Sequence, residues 1–338
     1  MPLNKIFSCL LAFVLTSNAI AQTATVQILQ SGTRKSFRGL SVVNDQVLWV
    51  SGSAGTVGRS TDGGVHVDWI TVPGFEKKDF RDIAAFDDQT AIIMGIAEPA
   101  VIVKTTDAGK TWRTVFTDST KGMFLDAMDF YDSKNGAVIG DPINGKFFLA
   151  ITKDQGETWS TNDPLISKHD LTATDGEAFF ASSGTNLVHR GKEIVFATGG
   201  KKSRLFYENK IWDLPLLVDK ESTGANSLVM DAKGNGIIVG GDFSRDTIKT
   251  GNAVLFEKGG NNMRVPRINP QGYKSCVIYL TNTTLVACGT SGVDLSYDRG
   301  LSWVNISKES FHVVQKAAKG NAVFLAGGNG KLAKLVFN

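Results

Sequence analysis

The sequence predicts an all-β chain folded as one seven-bladed β-propeller of four-stranded blades. Three observations carry this. A short Ser/Thr-x-Asp-x-Gly cassette recurs four times between β-rich runs. Apolar runs of similar form begin seven times, about 40 to 50 residues apart, the length of a four-stranded blade. Each start leads into a second run that closes on a glycine, as in Val47-Leu48-Trp49-Val50-Ser51-Gly52 and Ala137-Val138-Ile139-Gly140, and no helix of consequence interrupts the pattern.

The cassettes read Ser60-Thr61-Asp62-Gly63-Gly64 with a delayed Trp69, Thr105-Thr106-Asp107-Ala108-Gly109 closed by Trp112, Thr152-Lys153-Asp154-Gln155-Gly156 closed by Trp159, and Ser296-Tyr297-Asp298-Arg299-Gly300 closed by Trp303. A carboxylate that accepts backbone N–H groups, a glycine free to take positive φ and a tryptophan that buries a large area form a self-contained turn clasp. This is the form of the Asp-box, or BNR, repeat. The four aspartates and four tryptophans are therefore expected to be structural.

The chain opens with a targeting segment over residues 1–21: Lys5, an apolar core from Ile6 to Leu15, and a small-residue cleavage site at Ala19-Ile20-Ala21. Residues 22–338 are read as the single propeller domain of an exported protein, periplasmic or secreted. The blade starts are Phe37, Phe80, Phe124, Glu177, Asn226, Tyr273 and Phe311. Blades four and five lack the cassette, with Tyr207 to Trp212 and Phe256 to Asn262 in its place. The last blade shows only three runs, so its missing strand is expected from Thr25 to Gln30, which closes the ring and leaves no bare sheet edge.

Composition excludes several classes. The net charge of +3 over 338 residues gives no nucleic-acid footprint, and past the leader no apolar stretch approaches a membrane span. Four scattered histidines and two mature-chain cysteines offer no zinc spacing, so no metal and no cofactor are expected. Cys276 and Cys288 fall opposite each other if the hairpin centres on Asn282, which leaves open a disulfide or two buried thiols. Gly199-Gly200-Lys201-Lys202 lacks the strand-to-helix context of a phosphate loop.

In a propeller, the loops entering the innermost strands and those joining second to third strands share one face around the channel. The second residues of the innermost runs include Arg38, Arg81, Lys274 and His312, which ring closure places on one arc; Asp126, Asp141 and Glu177 lie opposite. A basic arc facing an acidic one suits a peptide end or an anionic ligand, since guanidinium groups converge well on carboxylates. Mutual pairing or solvation of these charges is the alternative. The long connection Gly240 to Gly251, with Asp242 and Arg245, and the insertion Asn162 to Gly176, with His169 and Asp170, are expected on the same face, where loops carry recognition.

The cassettes, starts such as Phe37-Arg38-Gly39-Leu40, the run Glu98-Pro99-Ala100, the phrase Gly140-Asp141-Pro142-Ile143-Asn144-Gly145 and Ser291-Gly292-Val293-Asp294 resemble the exported WD40/YVTN/BNR-like propellers, and among them the photosystem II stability and assembly factor-like group. The resemblance covers the mature chain and implies a protein-binding or assembly role; a monomer holding a protein or peptide partner is expected. The rival is a sialidase-like glycoside hydrolase, with Arg38 as its first arginine and Tyr273 as nucleophile beside Glu177 or Glu221. The sialidase phrase Arg-Ile-Pro is here Arg38-Gly39-Leu40, which weighs against it. Fold alone does not decide between binder and enzyme.

Overall fold

The computed structural model describes residues 24–337, so the leader and its cleavage site lie outside the described residues. Seven antiparallel sheets follow one another around a ring. The innermost strands are Phe37–Val42, Phe80–Ala85, Leu125–Phe130, Leu187–Arg190, Thr223–Met230, Cys276–Tyr279 and Val313–Lys316. Each pairs with a second strand that is buried along most of its length, such as Leu48–Gly52, Ala91–Gly95 and Gly236–Asp242. Such strands read as continuous apolar runs because both faces press on neighbouring blades. The core is accordingly divided among blade-to-blade interfaces; one joins Ile92, Met94 and Ile102 of blade two to Leu125, Met128 and Val138 of blade three.

The ring closes as expected. Ala24–Gln30 pairs antiparallel with Leu332–Phe337 and becomes the outermost strand of blade seven. In blade three the fourth strand shrinks to one bridge, Ile151 to Ser160. Among the described residues helix is confined to two short 3₁₀ turns, Ile166–Lys168 and Lys258–Gly260.

Two cassettes close fully; in a third, blade three, Asp154 accepts from Thr152 and Thr158 and Trp159 packs on the core but its indole N–H meets no acceptor, and in blade one the tryptophan is not part of the clasp. In blade two, Asp107 Oδ1 accepts the Thr105 hydroxyl at 2.9 Å and the Thr111 N–H at 2.9 Å, while the Trp112 indole donates to the Gly109 carbonyl at 3.0 Å. Trp303 repeats this with Gly300 at 3.0 Å and is buried. In blade one, Asp62 accepts the His66 N–H, the counterpart of Thr111, so the position of Trp112 falls to Val67, which packs against the core. Trp69 lies two residues further, on the outer strand Asp68–Thr71, stacked on Phe37 and 44% exposed. It is thus not the closing tryptophan. A large apolar residue can drop out of the clasp while its carboxylate and glycine persist.

Cys276 stands directly opposite Cys288 in register, and the structure holds them as free, fully buried thiols. The reading realised here is the pair of apolar-like residues.

Candidate functional site

The functional geometry begins with a backbone irregularity. In four blades the register slips by one residue where the innermost strand meets its second strand, so one residue of the inner strand has no opposite number. The extra residues are Arg38, Arg81, Asp126 and Asn226 in blades one, two, three and five. Such bulges re-aim side chains, and they favour barrel rims and functional sites. His312, immediately before the inner strand of blade seven, holds the same place: Phe311 N–H bonds to Gly289 of the preceding blade, as Phe37 N–H bonds to Gly327.

In blade six that place belongs to Ser275, because Lys274 N–H takes the Phe37-type bond, to Gly240. Lys274 is therefore corrected from rim cation to buried strut: it is fully enclosed, pairs with Asp294 at 2.5 Å, and donates to the carbonyls of Gln271 and Gly292. The apolar pattern of that blade begins one residue before the equivalent position.

Blade four breaks the pattern. Its inner strand begins at Glu177–Ala178, opposite Gly199–Gly200, leaves the sheet over residues 179–186, and resumes at Leu187 opposite Phe196. The excursion crosses the channel. Ser182 bonds through its hydroxyl to Asn226 of blade five and through its carbonyl to Arg38 of blade one, Ser183 donates to the Ser275 carbonyl at 2.6 Å, and the Thr185 hydroxyl meets Ser227 at 2.7 Å. Gly184 sits at φ +68° against blade two, where a Cβ would lie 2.2 Å from an Asp82 carboxylate oxygen. The segment is a plug that touches five other blades when Phe179 N–H on Asp141 is included. It separates a chamber of about 550 Å³ that includes Asp82 and Asp129 from a rim cavity of about 410 Å³.

The rim cavity is lined by Arg38, Arg81, Asp126, Asp141, His312 and Tyr273, with Phe124, Phe179, Phe180 and Phe243 as apolar wall. Its cationic side is narrower than expected. Arg81 is held by Asp79 at 2.9 Å. Among the described residues no carboxylate pairs with Arg38, whose one hydrogen bond, to the Ser182 carbonyl, is long at 3.4 Å. Burial and the neighbouring Arg81 pull the Arg38 pKa down from its usual range, though a guanidinium remains charged. Burial, followed by Arg38 and Arg81, lowers His312 to about 3, so its imidazole is neutral at pH 7 and it drops out of the basic arc.

Across from them Asp126 is fully buried, and no hydrogen bond of good geometry reaches either of its carboxyl oxygens. Burial and the nearby Asp141 push its pKa well above the carboxylate range. Asp141 accepts the Phe179 N–H at 2.9 Å, and burial still raises it to about 6.

The remaining candidates satisfy one another. Glu177 accepts from Arg204, Thr198 and Thr174 and stays ionised despite its burial. Asp242 accepts from Ser222, Ser244 and Arg245, whose far side holds Asp219. Neither Glu177 nor the Asp242–Arg245 pair faces the rim cavity, a second correction to the charged arcs. In the 162–176 insertion, His169 packs on Phe196 and Asp170 accepts the Thr172 N–H. Sequence reasoning missed Asn226, Ser182 and Phe243, although one sign of the plug was visible: Phe37 reaches its closing glycine at Gly52 and Phe80 at Gly95, whereas Glu177 reaches Gly200.

A sialidase-type pair is not assembled. The Tyr273 hydroxyl bonds to Asn226 at 2.8 Å and Ser182 at 3.2 Å, and burial pushes the phenol up to about 12. Neither glutamate bonds to that hydroxyl: Glu177 is held by Arg204, and Glu221 is exposed beside Lys201. Among the described residues no group of three or more His, Cys, Asp or Glu could hold a metal ion, and no helix is long and apolar enough to cross a membrane.

No family model and no curated protein matches the chain. Solved structures do. One of YCF48 bound to D1 peptide is similar with a TM-score of 0.63 at 15% identity, covering 96% of this chain and 100% of that one. YCF48 from Cyanidioschyzon merolae gives 0.62 at 13%, covering 91% and 98%. The WD40 β-propeller domain of Doa1 gives 0.59 at 14%, covering 93% and 97%. The chain thus shares the propeller fold of YCF48 and of a WD40 domain.

Proposed function

We propose that this propeller is an exported, non-catalytic binding or assembly scaffold of the cell envelope, holding a peptide segment of a protein partner at the rim cavity. The observation that carries the reading is Arg38. A guanidinium set on a strand bulge, half-buried among aromatic rings and without a carboxylate of its own, is a prepared site for an anionic group, and bidentate guanidinium–carboxylate contacts give both energy and orientation. Arg81 adds positive potential beside it. A similar propeller that holds a peptide supports the reading, as does a Tyr273 bonded to amide and hydroxyl rather than to a carboxylate.

The test is affinity capture from the native envelope fraction with the mature chain and with the Arg38→Ala/Arg81→Ala double variant, checked by circular dichroism for an unchanged fold. A protein retained by the first and lost by the second is the expected result. Equal retention would overturn the site, and sugar release from a fluorogenic glycoside panel, abolished in the variant, would overturn the non-catalytic reading.

A further inference from the structure

The rim cavity contains a second feature that binding at Arg38 leaves unexplained. Asp126 is the extra residue of the blade-three bulge, so the backbone aims its side chain at the channel instead of into the interface between blades. It is fully buried, and although the backbone N–H groups of Asp141 and Ala181 lie near it, neither oxygen receives a hydrogen bond of good geometry. A buried polar atom without a partner costs free energy, and native proteins keep few of them. The contrast with other enclosed acids of this ring is direct: Asp82 accepts the Ile83 and Met128 N–H groups, and Glu177 is closed by Arg204. At Asp126 the neighbouring N–H groups are poorly aligned, which leaves its oxygens open to a better-placed donor.

The shape of the cavity limits what can bring it. The plug residues Phe179, Phe180, Ala181 and Ser182 line the cavity, and Ser183 and Gly184 line the chamber beyond, so the channel is blocked between the two. A chain cannot thread through; it enters end-on. About 410 Å³ lies within the range of small-ligand pockets. Building on the rim as binding face, we propose that the acidic side of the cavity, Asp126 assisted by Asp141, is a subsite for the last peptide N–H of a partner's free C-terminus, whose carboxylate lies on Arg38. An internal Asp or Glu also carries a carboxylate and an N–H donor on one residue, but a cavity closed by the plug favours the chain end over a segment that must continue through it. The aromatic wall of Phe124, Phe179, Phe180 and Phe243 then receives an apolar final side chain.

The test uses the full mature chain and N-acetyl tetrapeptides ending in Phe, randomised at the other positions. Binding is followed by NMR shifts and calorimetry. Four probes are compared: the free acid, its C-terminal amide, the acid N-methylated at the last peptide bond, and free phenylalanine. Asp126→Leu removes the acceptor, and because Leu is larger its fold is checked by circular dichroism and urea unfolding, with the isosteric Asp126→Asn as a second variant.

The expected result is that the free acid binds, that amidation weakens it about tenfold or more, and that N-methylation and Asp126→Leu each weaken it by a similar factor without adding to each other. Loss on amidation with no effect of either N-methylation or Asp126→Leu would overturn the acidic subsite and leave the arginine reading intact. Free phenylalanine binding as tightly as the peptide acids would overturn the partner chain end in favour of a free amino acid. No binding by any probe, with capture of an envelope protein still dependent on Arg38 and Arg81, would overturn the C-terminal proposal alone; absence of both would overturn the rim itself.

Discussion

The two ends of this ring use the same side chain in opposite ways. On the cassette face, Asp62 and Asp107 are solvent-exposed carboxylates saturated with donors, and hydrogen bonds from His66 and Thr111 respectively pull both down to about 2. At the channel rim, Asp126 is buried and Asp141 half-buried; the first has only poorly aligned backbone N–H groups of Asp141 and Ala181 near it and the second a single backbone N–H, and burial pushes both up. What separates them is local sequence. A cassette carries its own donors within four residues, so its aspartate is finished as soon as the turn forms. A bulge residue is projected into the channel with no local partner, and its satisfaction depends on other blades or on a ligand. A carboxylate that is complete holds structure; one that is incomplete is available for binding.

The largest effect should separate clasp from ornament on the cassette face. Trp303 is buried and its indole donates to Gly300, so Trp303→Ala should cost about 3–5 kcal/mol in urea unfolding. Trp69, 44% exposed and outside its clasp, should cost about 1 kcal/mol on the same substitution. Equal losses would mean that Trp69 closes blade one after all.

A smaller effect should expose what holds the rim together. Gly184→Ala places a Cβ at positive φ and 2.2 Å from the Asp82 carboxylate, so the plug must shift. A destabilisation of about 1–3 kcal/mol is expected, together with loss of ligand binding at Arg38, whose Ser182 contact belongs to the same segment. Unaltered binding in a destabilised variant would show that the plug does not shape the rim.

Ring, blade count, closing strand and cassette chemistry were legible because each is written locally: an apolar run ending in glycine, or an aspartate with its donors two and four residues away. The rim was half legible. Arg38, Arg81, Asp126 and Asp141 do line one cavity, because ring closure brings blade starts together whatever their sequence. Lys274 was misplaced because the bulge adds a residue that apolar pattern alone does not register, and alignment on the closing Gly289 would have assigned Ser275 instead. His312 was placed correctly but its charge was not, since the desolvation that neutralises it arises from blades distant in sequence. The plug eluded pattern reading because its small polar residues, Ser182 to Thr185, have no periodicity and find their partners in blades one, two, five and six.

The finest distinction between the two faces is the sign of their response to pH. Asp141 holds its proton to about 6 in the folded protein, above the 3.8 of an ordinary aspartate, because burial disfavours its charge. Its contribution to stability is therefore complete below about pH 4 and is lost as pH rises through about 6, since the unfolded chain releases the proton first. Asp62 and Asp107 run the other way: their contribution is present above the ordinary carboxylate range and lost only as pH falls through about 2. Asp141→Asn, uncharged throughout, should flatten the acid-side component, so the difference in urea midpoint between wild type and variant should change between pH 4 and 6 and be constant from pH 7 to 8. The same difference across the whole range would mean that Asp141 ionises freely at the rim, and the contrast between complete and incomplete carboxylates would then rest on Asp126 alone.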